Sequence, residues 1–424
     1  MNREFAVAVI YSVIGFIPVL SHAEQNHPQI TFNREAGKPP LYRSGESAEF
    51  RIRMPRIKDA DETFVVSLLD DRGKRVLREE FKTLERQEFC ISGGLTEPGF
   101  LRCQILLKKN GKTVFRPLVA SAGFEVEKIL PGAPPPSDLM EFWKAAKSRF
   151  DREVPPDYRM TLQRTSNGIR FYEVTSANYG GTRTYAYISI PEGDGKYPIL
   201  AQVPPAGPGI WRPAGGKNRI SVTVNVHHRR LSLENGRQDQ AAYKELNTPL
   251  LYAYQGAPDR ERYYYYKSIL GVLRILDYVT GLKEWDGKHL VMSGQSQGGA
   301  FALIMAALHP DISAVSAEIP ALCDHRGSLP GWPRLLDTVK SAGEMSGYYD
   351  TANFCRHIKC PVIVAVGLID SLCTPRSVHA AFNGIPAPDK KIYYGTFTGH
   401  GWGDRMTEFE TERNVFLNKH LTME

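Results

Sequence analysis

The sequence predicts an α/β protein, a mostly parallel sheet flanked by helices, preceded by a small all-β sandwich. Three observations carry this. Short alternating runs punctuated by turn residues fill positions 24–128, the stretch Pro131-Gly132-Ala133-Pro134-Pro135-Pro136 breaks regular structure, and beyond it strand-like apolar runs alternate with helical stripes. The chain has 424 residues, enough for one large domain and one small one.

The N-terminal segment comes first. Arg3, an apolar run from Phe5 to Leu20 and Ser21-His22-Ala23 ahead of Glu24 form the pattern of a cleaved signal peptide over residues 1–23. Pro18 interrupts that run, and no later stretch is long and apolar enough to span a bilayer. The expectation is an exported protein, periplasmic or secreted, without stable membrane insertion. Apolar residues make up 42% and charged residues 23%, which excludes a disordered or membrane-embedded chain. The net charge of +7 is spread through mixed basic and acidic residues, so no nucleic-acid partner is expected.

In the β region, Ile30-Thr31-Phe32, Ala48 to Ile52, Phe64 to Leu68 and Ile105 to Leu107 read as strands. Asp71-Arg72-Gly73, Pro98-Gly99 and Asn110-Gly111 read as turns, giving a sandwich of immunoglobulin-like type over 24–128. Of the six cysteines, Cys90 and Cys103 are expected to pair across neighbouring strands, with six buried thiols as the alternative. Residues 129–137 form the linker, and the second domain covers 138–424. It opens on a helix: Asp138 and Glu141 have capping-box spacing, and Leu139, Phe142, Ala146 and Phe150 recur at helical period. Strands are expected at Phe171–Thr175, Tyr185–Ile190, Pro198–Val203, Ile220–Val226, His289–Ser293, Ala314–Ile319, Pro361–Val366 and Lys391–Tyr394, an eight-stranded sheet. Ile269, Val272, Leu273, Leu276 and Val279 mark a helix packed on it, and later helices are expected over Arg376–Asn383 and Asp404–Leu421.

Chemistry concentrates at Gly294-Gln295-Ser296-Gln297-Gly298-Gly299, between an apolar strand and an apolar helix. In that context GxSxG is a nucleophile elbow: serine sits on a strained turn, glycines remove clashing Cβ atoms, and the helix N-terminus favours a developing oxyanion. A serine hydroxyl needs a base and a residue that holds the base. In the α/β-hydrolase order these follow as acid, then histidine, each after a strand. Asp370 and His400 stand in those places, and Asp324 is the rival acid, with Asp350 behind it. The amide of Gln297 is one expected oxyanion donor. Ala206, in Pro204-Pro205-Ala206-Gly207, is the other, since prolines have no N–H. No metal and no cofactor is required.

Other features leave alternatives open. His227 and His228 either line the site or form a solvated loop pair. Trp332, in the irregular segment Pro320–Tyr349, is a candidate substrate contact, with that segment either a lid over Ser296 or a surface insertion. Tyr263 to Tyr266 read as the head of a core helix, with stacking on sugar rings as the alternative.

From about Pro135 onward the chain resembles the acetylxylan esterase and cephalosporin-C deacetylase family, carbohydrate esterase family 7. The residues that carry the resemblance are Ser137-Asp138 to Phe142-Trp143, the GQSQGG elbow, Ile319-Pro320-Ala321-Leu322-Cys323-Asp324, and Val366-Gly367-Leu368-Ile369-Asp370 with Thr374-Pro375. The resemblance implies an α/β-hydrolase fold, removal of acetyl groups from acetylated oligo- or polysaccharides, and Ser296, Asp370 and His400 as the triad. It also implies a homo-oligomer, since relatives often form rings. Where members typically carry Arg-Gly-Gln, this chain has His227-His228-Arg229-Arg230, and where they carry an acidic residue after the histidine it has Gly401. Feruloyl or uronate sugar esters, peptide hydrolysis on the same fold, and non-catalytic carbohydrate binding are the other readings.

Overall fold

A computed structural model describes residues 29–54, 62–82, 88–113, 117–208, 212–230, 233–234, 237–400 and 406–422. Residues 1–23, expected to be a signal peptide, lie outside the described residues. No described helix is long and apolar enough to cross a membrane.

The N-terminal part is built from antiparallel pairing. Gln29–Phe32, Ala48–Arg53 and Glu88–Gly93 form a three-stranded sheet, and a six-stranded sheet is centred on Glu62–Leu69 and Gly99–Lys109. In Ala48–Arg53 the apolar residues Ala48, Phe50 and Ile52 are buried, while Glu49, Arg51 and Arg53 point outward. That is the period of two that a half-buried strand requires. Phe50, Ile52 and Ile91 from one sheet meet Phe64, Leu101, Ile105 and Phe124 from the other in one apolar core. The expected Cys90–Cys103 pair does not form. Cys90 is an exposed thiol on the three-stranded sheet, and Cys103 is buried in the six-stranded one.

The second part holds a nine-stranded sheet. In chain order its strands are Arg159–Ser166, Ile169–Ala177, Arg183–Pro191, Tyr197–Val203, Ile220–Val224, Trp285–Gln295, Ile312–Glu318, Val362–Gly367 and Lys390–Gly395. In space the first three are followed by the fifth, then the fourth, then the sixth to ninth, and from the fifth strand on all neighbours are parallel. The expected eight strands are all present, seven of them within two residues of their expected limits, while His289–Ser293 starts four residues earlier, at Trp285. The ninth, Arg159–Ser166, is a correction: an antiparallel edge strand exposed on both faces, so it lacks the apolar alternation that marks a strand.

Central strands read as continuous apolar runs because both their faces are covered. Ile199, Ala201 and Val203 enter the main core with the helices Leu139–Glu153, Tyr264–Thr280 and Gln297–Leu308. Leu200 faces the other way, onto Phe409 and Phe416 of the helix Thr407–His420. Tyr263 to Tyr266 are all buried, as the head of a core helix. The capping box at Asp138 is also corrected. Its carboxylate makes no cap bond but accepts from the Tyr348 hydroxyl at 2.5 Å, tying the helix start to a distant loop.

Candidate active site

Parallel strands end on one edge of a sheet, so residues on the loops after them gather there. Ser296 follows Trp285–Gln295, Asp370 follows Val362–Gly367 and His400 follows Lys390–Gly395. The Ser296 hydroxyl lies 3.0 Å from His400 Nε2, and His400 Nδ1 lies 2.8 Å from Asp370 Oδ2. The carboxylate has no exposed side-chain surface, whereas the imidazole keeps 24%. Asp370 Oδ1 accepts from the amides of Leu372 and Cys373 at 2.8 and 2.9 Å. Both carboxylate oxygens are therefore committed, which fixes the imidazole's orientation.

The elbow explains its own sequence. Ser296 has φ +54° and ψ −118°, a region that a residue with a side chain occupies only when its surroundings hold it there. Its N–H donates to the Glu318 carbonyl and its carbonyl accepts from Ala321, both at 2.9 Å. A Cβ on Gly294 would meet the backbone of Gly298, and one on Gly298 would meet Val203. Gln297 opens the helix, so its amide has no carbonyl one turn back and stays available to an anion. The Gln297 side chain is completely buried, and its Oε1 accepts from the hydroxyls of Tyr252 at 2.6 Å and Tyr265 at 2.8 Å.

Other expected residues fall as follows. Ala206 is exposed on the loop that leaves Val203, the residue against which the elbow packs. His227 and His228 are not a solvated pair. His227 is 2% exposed, with Nδ1 at 2.8 Å from the Tyr264 hydroxyl and Nε2 at 3.4 Å from the Gly207 carbonyl. Burial pushes its pKa down to about 4, so it is neutral at pH 7 and supports the Ala206–Gly207 loop from below. Trp332 is half-buried. Its N–H donates to the Leu372 carbonyl and its carbonyl accepts from Leu322, joining the Asp370 loop to the segment behind the elbow. That segment is packed in, with Ala321 to His325 at 1% exposure or less. Asp324 is no partner of His400: its Oδ1 accepts from the Gly132 amide at 2.7 Å, and burial raises its pKa to about 6. Asp350 is buried too and accepts from the amides of Asp324, His325 and Ala352.

Cys373 escaped the sequence reading. A Cys373 Sγ and ligand atoms of Asp370 and His400 all lie within 4.8 Å of one another. Burial, then the Asp370 charge, pushes this thiol's pKa far up, so it stays protonated beside Ser296 instead of competing as a nucleophile. The signal in the sequence was its place three residues after the acid, where an Asx turn aims an amide back at the carboxylate.

A nine-stranded sheet of this order, with a strained serine elbow and a histidine and an acid on later strand loops, is an α/β-hydrolase. Residues 124–329 and 337–421 match the profile of the acetyl xylan esterase family, AXE1. The chain is 30% identical over 320 residues to the acetyl esterase Axe7A of Xylanibacter ruminicola, covering 71% of this chain and 70% of that one. The chain belongs to the acetyl xylan esterase family and is a carboxylic ester hydrolase by that membership. Two solved structures share the fold. Acetyl xylan esterase 1 of a Thermoanaerobacterium species superposes with TM-score 0.56 at 22% identity, covering 70% of this chain and 98% of that one. The acetyl xylan esterase of a Paenibacillus species gives 0.58 at 21%, covering 70% and 99%. The family match begins at residue 124, so the N-terminal sheets lie outside it.

Proposed function

We propose that this is an exported serine esterase that removes acetyl groups from acetylated saccharides through an acyl-enzyme. The observation that carries the reading is the unbroken chain from the Ser296 hydroxyl through both nitrogens of His400 to the buried Asp370 carboxylate. His400 takes the Ser296 proton as Ser296 Oγ bonds to the acetyl carbonyl carbon. The amides of Gln297 and Ala206 receive the oxyanion. His400 then gives the proton to the leaving sugar oxygen. Water repeats the sequence on the acetyl-enzyme and releases acetate. Asp370 holds the tautomer with Nδ1 protonated and stabilises the imidazolium without taking its proton.

Family membership and the names of the relatives support the acetyl group as the acyl part. We place the sugar against half-buried Trp332 and the loop that His227 supports. Export rests on residues 1–23. The test is acetate release by the purified mature protein from a panel of acetylated oligosaccharides, with Ser296→Ala alongside. Release that disappears in the variant is the expected result. Turnover of feruloyl, uronate or peptide substrates in place of acetyl ones would redirect the substrate assignment, and full activity in Ser296→Ala would remove Ser296 from its role.

A further inference from the structure

The loop that carries Asp370 runs straight into the helix Pro375–Asn383, and that helix is docked on the N-terminal sandwich along its whole length. At its start, Arg376 Nη1 donates to Asp71 Oδ2 at 2.8 Å and to the Pro98 carbonyl at 2.9 Å. Asp71 sits in the turn after the sandwich strand Glu62–Leu69, and the same Oδ2 accepts from the Phe100 amide at 2.9 Å. Midway, the Phe100 ring stacks on His379 with centroids 5.5 Å apart and planes 6° from parallel. Phe100, Val126 and Ile129 also form one apolar cluster with Leu368 and Ala380. At the helix end, Asn383 Nδ2 donates to the carbonyls of Val126 and Ile129 at 2.8 and 2.9 Å. A cavity of about 130 Å³ at this seam is lined by Asp71 and Phe100 on one side and by Ile369 and Asp370 on the other. The sandwich thus reaches the back of the acid itself.

We propose that the sandwich sets the position of the catalytic acid, with Asp71 and Arg376 as positioning residues; this rests on the serine-esterase reading above. The Asp370 loop is anchored at both ends, and at its start the Ile369 amide donates to the Thr398 carbonyl at 3.2 Å. Its inner part is held by Trp332 on Leu372 and by the Thr374 hydroxyl on the Leu329 carbonyl at 2.6 Å. Its outer end runs into the docked helix, and at the first turn of that helix the ion pair is largely buried, with 9% of the Asp71 side chain and 20% of the Arg376 side chain exposed. Removing one partner of such a pair leaves the other charge uncompensated, and the helix start moves to find water. Displacement there travels along the loop to the Oδ2 that meets His400.

The experiment uses the full chain, Asp71→Asn and Arg376→Lys, and p-nitrophenyl acetate, with kcat expressed per active site counted by burst titration. The expected result is a kcat per site lower by about 10- to 100-fold, the usual effect of a small misplacement, with KM unchanged. A role confined to stability would lower the melting temperature without this split between kcat and KM. A lower melting temperature with unchanged kcat per site overturns the proposal and leaves the sandwich as structural support. Should Asp71→Asn not fold, Arg376→Lys carries the same test, since it keeps the charge but cannot reach both Asp71 and Pro98. Ser296→Ala is run alongside. Activity there sinks the serine reading itself, whereas inactivity there with unaltered Asp71→Asn and Arg376→Lys sinks the positioning role alone.

Discussion

Gly298 approaches Val203 so closely that a Cβ on Gly298 would collide with the Val203 carbonyl oxygen. The partner is backbone of a central strand and cannot turn aside. Gly298→Ala is therefore expected to cost about 1–3 kcal/mol of stability and, because the turn bearing Ser296 must move, at least about 100-fold in kcat/KM. Thermal melts and ester turnover on the same preparation check both, and an unimpaired Gly298→Ala enzyme would show that the elbow tolerates the displacement.

Asp370→Asn keeps the shape of the side chain but removes its charge and turns one oxygen into a donor. The Oδ1 site faces two amide donors and the Oδ2 site faces His400 Nδ1, so the amide nitrogen is mispaired in either orientation. The expected loss is about 10⁴-fold in kcat with KM little changed, the size found where a triad histidine is held in the wrong tautomer. A fall of less than about tenfold would argue that another group orients His400.

Tyr252 and Tyr265 share one acceptor, Gln297 Oε1, in a fully buried setting. Either Phe variant leaves the other donor in place and should cost about 0.5–1.5 kcal/mol in urea unfolding. The double variant strands the carbonyl oxygen and should cost more than the two singles together. Simple additivity would mean that the two hydroxyls do not compete for the same oxygen.

His227 supplies a pH dependence whose sign can be worked out. Its folded pKa, about 4, lies below the unfolded value near 6.5 because burial disfavours the charged ring. Between these values the unfolded state binds the extra proton, so this contribution is fully present above about pH 6.5 and is lost as pH falls toward about 4. His227→Gln should show a shallower decline in unfolding free energy across that window than the unaltered protein. Parallel declines would place the proton uptake elsewhere.

Free thiols give a direct check on the cysteine correction. Cys90 is exposed, whereas Cys103, Cys323, Cys355 and Cys373 are buried, with pKa values raised by burial. A thiol reagent at pH 8 should label Cys90 quickly in the native protein and the buried four only after unfolding. Failure of Cys90 to react before denaturation would indicate that it is covered or bonded.

The sequence carried the elements that repeat a physical period or a motif with a mechanism. The eight expected strands of the large sheet were legible as apolar runs, most of them ending at glycine or proline, and the gathering of Ser296, Asp370 and His400 at one edge of the sheet because each stands just past a strand. What it hid either lacks a periodic pattern or depends on partners distant along the chain. Arg159–Ser166 has no buried face and so no pattern; it pairs with Ile169–Ala177, and the Tyr278 hydroxyl donates to Met160 Sδ at 3.2 Å. Asp138 has the spacing of a helix cap, yet Tyr348, far along the chain, takes its carboxylate. His227 reads as a solvated polar residue until the rings of Tyr243, Tyr252 and Tyr264 are seen to surround it. The pairing of Arg376 with Asp71 joins residues 305 positions apart, and neither carries a local sign of it.

The docked helix also bears on how this chain can be divided. A fragment cut at the Pro131–Pro136 stretch would keep every element of the large sheet yet strip Phe100, Val126 and Ile129 from Leu368, His379 and Ala380, leaving a raw apolar scar beside the Asp370 loop. Such a fragment should aggregate more readily than the whole chain in light scattering. The proline hinge marks where the two parts meet in the sequence but is a poor place to separate them.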